Sequence, residues 1–200
     1  MTEDKTFDVL HVLRLKGIAP TDVIAVHLEI AADDLQPILD PLSDQGLITM
    51  RETPRLSGWA LTPAGRDRHA AAMAATRSPA VEAAIAPRYE EFLTLNGRVK
   101  AVSTGWQQLA PDDAAGRWEA IDELGEIGAA ADGIVAAIAA IVPRFAWHQR
   151  RLAAALEHLR SGDERYFTGV TVDSFHTVWF ECHEDLIQTL GRERIAEGSF

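Results

Sequence analysis

Apolar positions recur at helical spacing through three short segments at the start of the chain. Residues 5–16 carry Phe7, Val9, Leu10, Val12 and Leu13 as an apolar side, and Gly17 supplies a stop. A second helix is predicted to begin near Pro20-Thr21-Asp22, with Thr21 or Asp22 as cap and Val23, Ile24, Val26 and Leu28 as its apolar side. A third is predicted over 33–45, where Leu35, Leu39 and Leu42 repeat before Gly46. Then the period changes. Leu47-Ile48-Thr49-Met50-Arg51 reads as a strand, Thr53-Pro54 as a turn, and Leu56-Ser57-Gly58-Trp59-Ala60-Leu61 as a returning strand. Thr62-Pro63-Ala64-Gly65-Arg66 opens a further helix, with Thr62 as cap and Pro63 at the favoured first position.

Ser78-Pro79 marks a change of character. Beyond it the chain reads as helix near 80–109, 113–141, 144–160 and 173–190, broken by Pro111, Pro143 and Ser161-Gly162-Asp163. The fold class this predicts is mainly α. An N-terminal winged helix with a short β-hairpin wing spans 1–76, and a helical bundle for dimerisation or ligand sensing spans 77–200. Three helices followed by a hairpin is the winged-helix plan, in which the third helix enters the major groove of DNA.

The segment from Leu35 through Leu39 and Leu42 to Gly46-Leu47-Ile48 resembles the recognition-helix-to-strand region of MarR-type regulators. Leu61-Thr62-Pro63-Ala64-Gly65-Arg66 resembles their strand-to-helix exit. The likeness covers roughly residues 7–72. Residues from about Tyr89 to Trp106, and Asp173-Ser174-Phe175-His176-Thr177-Val178-Trp179-Phe180 through Leu190-Gly191, resemble actinobacterial MarR-like regulators with a C-terminal helical domain. The resemblance implies a ligand-responsive helical part. It also implies an association, in some relatives, with phosphoenolpyruvate-utilising phosphotransferase components, although their catalytic histidine motif is not recognisable here.

Charge complicates the DNA reading. The 200 residues carry a formal net charge of -11, whereas phosphate neutralisation supplies most of the affinity of a DNA binder. With Leu35, Leu39 and Leu42 facing the core, the third helix turns Asp33, Asp34, Gln36, Pro37, Asp40, Pro41 and Asp44 outward. No lysine or arginine lies between Lys16 and Arg51. Of that face only Gln36 suits base-edge readout. Phosphate contact would fall to Lys16, Arg51, Arg55, Arg66 and Arg68. Pro37 and Pro41 each remove a backbone donor, so a bent or irregular third helix is expected.

Cys182 is the single cysteine, which excludes an intrachain disulfide and suits a reducing cytosol. The first residues do not read as a secretory signal and no run is long enough to span a membrane, so a cytoplasmic protein is expected. There is no P-loop, dinucleotide glycine fingerprint, HExxH or GxSxG, so no enzyme and no cofactor is expected. Cys182 beside His183 is not a nucleophile–base pair, because helix neighbours point about 100° apart. The thiol is expected inside the bundle with Phe175, Val178 and Leu186.

The last predicted helix is the richest in chemistry. His176, Trp179, His183, Leu186 and Leu190 form one stripe, and Glu181, Glu184 and Gln188 another. The histidines sit about 10 Å apart along the axis, too far for one ion with bonds near 2 Å, so hydrogen bonds within a bundle outrank a metal. A small-molecule pocket is the stronger candidate, with Asn96, Trp106, His148, His176, Trp179 and His183 as its ligand-binding residues. The competing reading is that these aromatics fill the core. Glu119, Asp122, Glu123 and Glu126 read as a solvated face. The apolar surface over 129–142 exceeds what a small bundle covers and predicts a homodimer. Two roles stand open: a regulator binding double-stranded DNA under a small-molecule effector, or an adaptor whose acidic third helix docks on a protein.

Overall fold

The computed structural model describes residues 2–54, 57–110 and 112–192, with side chains from residue 5 onward. Arg55, Leu56 and Pro111 lie outside the described residues. The chain divides into two compact units, Met1–Arg77 and Ser78–Phe200. It is mainly helical with one small three-stranded antiparallel sheet. Among the described residues no helix is long and apolar enough to cross a membrane.

The first unit runs α1 (Thr2–Lys16), β1 (Ile18–Ala19), α2 (Thr21–Leu28), α3 (Ala32–Asp44), β2 (Ile48–Glu52), β3 (Ser57–Leu61) and α4 (Pro63–Thr76). Val9, Leu10, Val12 and Leu13 of α1 pack with Leu35, Leu39 and Leu42 of α3 in the buried set. Gly17 and Gly46 end their helices with φ of +77° and +67°, the left-handed region that glycine enters without strain.

Two expectations for α2 need correction. The cap of α2 is Pro20, which offers no side-chain hydrogen bond. Thr21 is already helical, and its hydroxyl instead accepts from the Trp59 indole at 3.2 Å. The inward face of α2 is Ile24, Ala25 and His27, while Val26 is 72% exposed. The helix α3 is uninterrupted through Pro37 and Pro41. Each proline leaves a carbonyl four residues earlier without its helical donor. Those carbonyls belong to Asp33 and Pro37, both exposed, so water can satisfy them.

The sheet order is β1-β3-β2. β2 and β3 pair with Thr49 opposite Ala60 and Met50 opposite Trp59. The sequence missed β1, whose two residues pair Ile18 with Ala60 and Ala19 with Trp59. Gly58 permits this closure, since a Cβ there would sit 2.5 Å from the Ala19 carbonyl carbon.

Thr62 joins the hairpin to α4. Its Oγ1 accepts from the Gly65 amide at 3.1 Å and donates to the Gly46 carbonyl at 2.6 Å. Thr62→Ala removes both ties and is expected to cost about 1–2 kcal/mol, read as a lower urea midpoint for the first unit. Against α1, α4 packs a ring stack of Phe7, His11 and His69. His11 Nδ1 meets His69 Nε2 at 2.9 Å, and Phe7 lies 5.3 and 5.7 Å from the two ring centroids.

The second unit comprises α5 (Pro79–Gln108), α6 (Ala114–Ala139), α7 (Phe145–Arg160), α8 (Arg165–Thr168) and α9 (Phe175–Leu190). The short α8 was not expected. Packing runs α5 to α6, α6 to α7, α7 to α9 and α9 back to α5. Ser78, Asp113 and Ser174 cap α5, α6 and α9 through side-chain oxygens. The apolar run over 129–142 turns largely inward: Ala131, Val135 and Ile138 are buried, Ile134, Ala139 and Val142 pack against the same core, and Ile141 is exposed. The surplus surface that suggested a dimer is therefore smaller than the composition implied.

Candidate functional site

In the first unit, α3 keeps the outward face read from its spacing. Asp33, Asp34, Gln36, Pro37, Asp40, Pro41 and Asp44 are all exposed. The Gln36 amide already donates to Asp40 Oδ1 at 2.6 Å, within its own helix. Base readout by Gln36 would require breaking that bond beside repelling carboxylates.

The cations are dispersed. Lys16 is the half-buried last residue of α1. Arg51 is exposed on β2 opposite Gly58. Arg66 is exposed on the first turn of α4 and donates from Nη1 to the Leu61 carbonyl at 3.1 Å. Arg68 is exposed too, but residues two apart on a helix point about 200° apart, so Arg66 and Arg68 do not share a face. Arg51 lies three residues along β2 from Ile48, which pairs with Leu61. That separates it from the Leu61 end by about 10 Å.

In the second unit the six candidate ligand residues are not brought together. Three meet at the seam of α5 and α9. The Trp179 indole N–H donates to Asn96 Oδ1 at 3.0 Å. Its ring stacks on Phe92 at 4.3 Å and lies 5.8 Å from Phe175. His183 Nε2 meets the Tyr89 hydroxyl at 3.2 Å. These polar atoms satisfy one another inside a filled core, the usual fate of buried polar groups. The other three stand apart. Trp106 stacks on Phe167 at 4.0 Å with the Arg117 guanidinium over it at 4.9 Å. His176 is half-buried against Phe180, and that burial lowers its pKa. His148 belongs to the α7–α9 seam. A groove of about 230 Å³ does open between α6 and α7, lined by Gly128, Asp132, Val135, Gln149, Leu152 and Leu156 among others. None of the six lines it.

The polar centre that spacing did not expose lies between α7 and α9. Arg144 donates to Asp185 from Nε and Nη2, at 2.8 Å for the shortest contact, and from Nη2 to Thr189 Oγ1 at 2.6 Å. His148 Nε2 lies 3.1 Å from Asp185 Oδ2, and both side chains are fully buried. One α7 turn further, Arg151 binds Asp173 at 2.8 Å through both Nε and Nη2, and Glu181 at 2.6 Å. Its guanidinium covers the Trp147 ring at 4.4 Å. Burial works against the charge of Arg151, but Asp173 and Glu181 outweigh it and raise its pKa. Glu181 had been grouped with Glu184 and Gln188 as one face. It is buried against Arg151, while Glu184 and Gln188 bond each other at 2.8 Å. The available signal was Arg144 at the cap of α7 with His148 and Arg151 four and seven residues on, facing Glu181 and Asp185 four apart on α9.

Cys182 lies within this centre and is fully buried. Burial first, and the Asp185 charge second, push its thiol well above the ordinary range. It is therefore neither thiolate nor accessible, and α9 offers no activated nucleophile at this position. Among the described residues no group of three or more His, Cys, Asp or Glu is arranged to hold a metal ion. Comparison with family models, with curated proteins and with solved structures finds no match to this chain.

Proposed function

We propose that the first unit is a winged-helix module and that the chain is a MarR-like transcriptional regulator. The observation that carries this reading is topological. Three helices, an edge strand between the first two, and a hairpin follow in the order α1-β1-α2-α3-β2-β3, with β3 central in the sheet. Convergence on that order with the sequence likeness over residues 7–72 supports a wing rather than an incidental hairpin. DNA contact then rests on phosphates, through Arg51, Arg55, Arg66 and Arg68 with Lys16 in support. The acidic α3 does not read bases. The helical unit dimerises the chain or responds to an effector.

A second reading has its own support. The exposed aspartates of α3 and the internal Gln36–Asp40 bond favour an adaptor that has given up DNA for a basic protein surface. Salt titration of duplex binding by fluorescence anisotropy separates the two. A regulator gives log affinity falling linearly with log salt, and removing Arg51 and Arg66 together lowers that slope by about 2. No binding even at low salt, or a slope unmoved by both substitutions, removes the phosphate-contact mechanism and leaves the adaptor.

A further inference from the structure

His148 has an incomplete set of partners for a buried imidazole. Ionised Asp185 only accepts, so Nε2 bears the ring proton and Nδ1 is bare in the neutral form. Nδ1 is buried and meets no hydrogen-bond partner among the described residues. Asp185 is already engaged by Arg144 and Thr189. A second ring proton would place an N–H where no acceptor stands and would bury a further cation.

The surrounding charges do not reverse this. Burial lowers the His148 pKa from 6.5 despite the hydrogen bond and charge of Asp185, and Glu181 also favours the proton while Arg151 opposes it. Arg144 and Arg151 on α7 are committed to Asp185 and to Asp173 with Glu181. On α6, Asp132 accepts from Gln149, the neighbour of His148. On α8, Arg165 is held by Asp163 and Tyr166 stacks on His158. On α9, burial keeps Cys182 a neutral thiol.

We propose that the α7–α9 seam is a proton-operated latch, closed while His148 is neutral and released when its ring takes a second proton. The inference concerns the helical unit alone and stands independently of any DNA contact. The sign follows from linkage. The folded ring binds its second proton more weakly than the unfolded chain does, so the unfolded state carries more protons below about 6.5. Stabilisation from neutral His148 is complete above that pH and is lost as pH falls toward the lower folded-state value. Over that interval the open fraction rises about tenfold per pH unit.

Amide hydrogen exchange on the full chain at about pH 7.5 and about pH 5.5, corrected for intrinsic rates, tests the latch against His148→Gln. Glutamine can donate to Asp185 but does not titrate. The wild type is expected to lose more protection in Phe145–Arg160 and Phe175–Leu190 than the variant on acidification, by up to about tenfold. Equal pH responses would overturn the proposal. Should the variant fail to fold, NMR titration of the wild-type His148 ring decides. Proton uptake coincident with loss of α7 and α9 protection is expected, and uptake with those amides still protected would overturn the latch.

Discussion

Asp185→Ala is expected to destabilise the helical unit by about 3–5 kcal/mol, the range for breaking a buried charge pair from one side. The carboxylate is fully buried and accepts from Arg144 at 2.8 Å and from Thr189 at 3.3 Å, with His148 at 3.1 Å. Alanine takes the Asp185 carboxylate away from the Arg144 guanidinium, which is only 20% exposed, and leaves His148 without its Nε2 partner. A domain stable by about 5–15 kcal/mol loses a large fraction of its margin to such a change. Tryptophan fluorescence is the natural probe during urea unfolding, because Trp106, Trp118, Trp147 and Trp179 lie in the second unit and only Trp59 in the first. Asp185→Asn retains the volume and one acceptor, and should cost distinctly less. If alanine and asparagine cost the same, loss of the charge accounts for the whole effect and the retained volume and acceptor contribute nothing.

Trp179→Ala is the second large effect, at about 3–5 kcal/mol for a buried tryptophan cut to alanine. Trp179 is fully buried, and it spans the space between Phe92 and Phe175. Its removal opens a cavity at the α5–α9 seam that two aromatic rings cannot close. Trp179→Phe keeps much of the stacking but orphans Asn96, which is 6% exposed. That cost is expected at about 1–3 kcal/mol, the penalty of an unsatisfied buried polar group. Urea midpoints in the order wild type, Trp179→Phe, Trp179→Ala check both terms. Were the phenylalanine variant to match the wild type, the Asn96 bond would carry no weight.

How far the sequence could be read depended on the length scale of each signal. Leu35, Leu39 and Leu42 fixed the buried side of α3, because a periodic apolar stripe is local and strong. Thr62-Pro63 marked the start of α4 because cap chemistry is encoded in adjacent residues. β1 was invisible for the opposite reason. Two residues carry no period, and they become a strand only by pairing with Ala60 and Trp59 some forty positions on. Val26 turned outward, and Ala25 and His27 inward, since α2 has only eight residues, too few for one stripe to dominate.

Side-chain roles were harder to read than elements. Of the six residues proposed to line a ligand site, Asn96, Trp179 and His183 lie at the α5–α9 seam, where Trp179 bonds Asn96 and His183 meets Tyr89. The basic residues Arg144, His148 and Arg151 and the acids Glu181 and Asp185 recur at helical spacing on their own segments, but an ion pair across 41 positions gives no local mark of which base meets which acid. The outward aspartates of α3 were the clearest functional signal in the chain, and the fold leaves all of them exposed.

NMR amide shift mapping on a mixed-sequence DNA duplex at low salt tests the proposed wing contact most directly. The largest shifts are predicted at Arg51, at Ser57 opposite the end of β2, and around Arg66 at the start of α4, with the outward residues of α3 nearly unmoved. Shifts centred on Gln36 and Asp40, or no shifts at all, would contradict it.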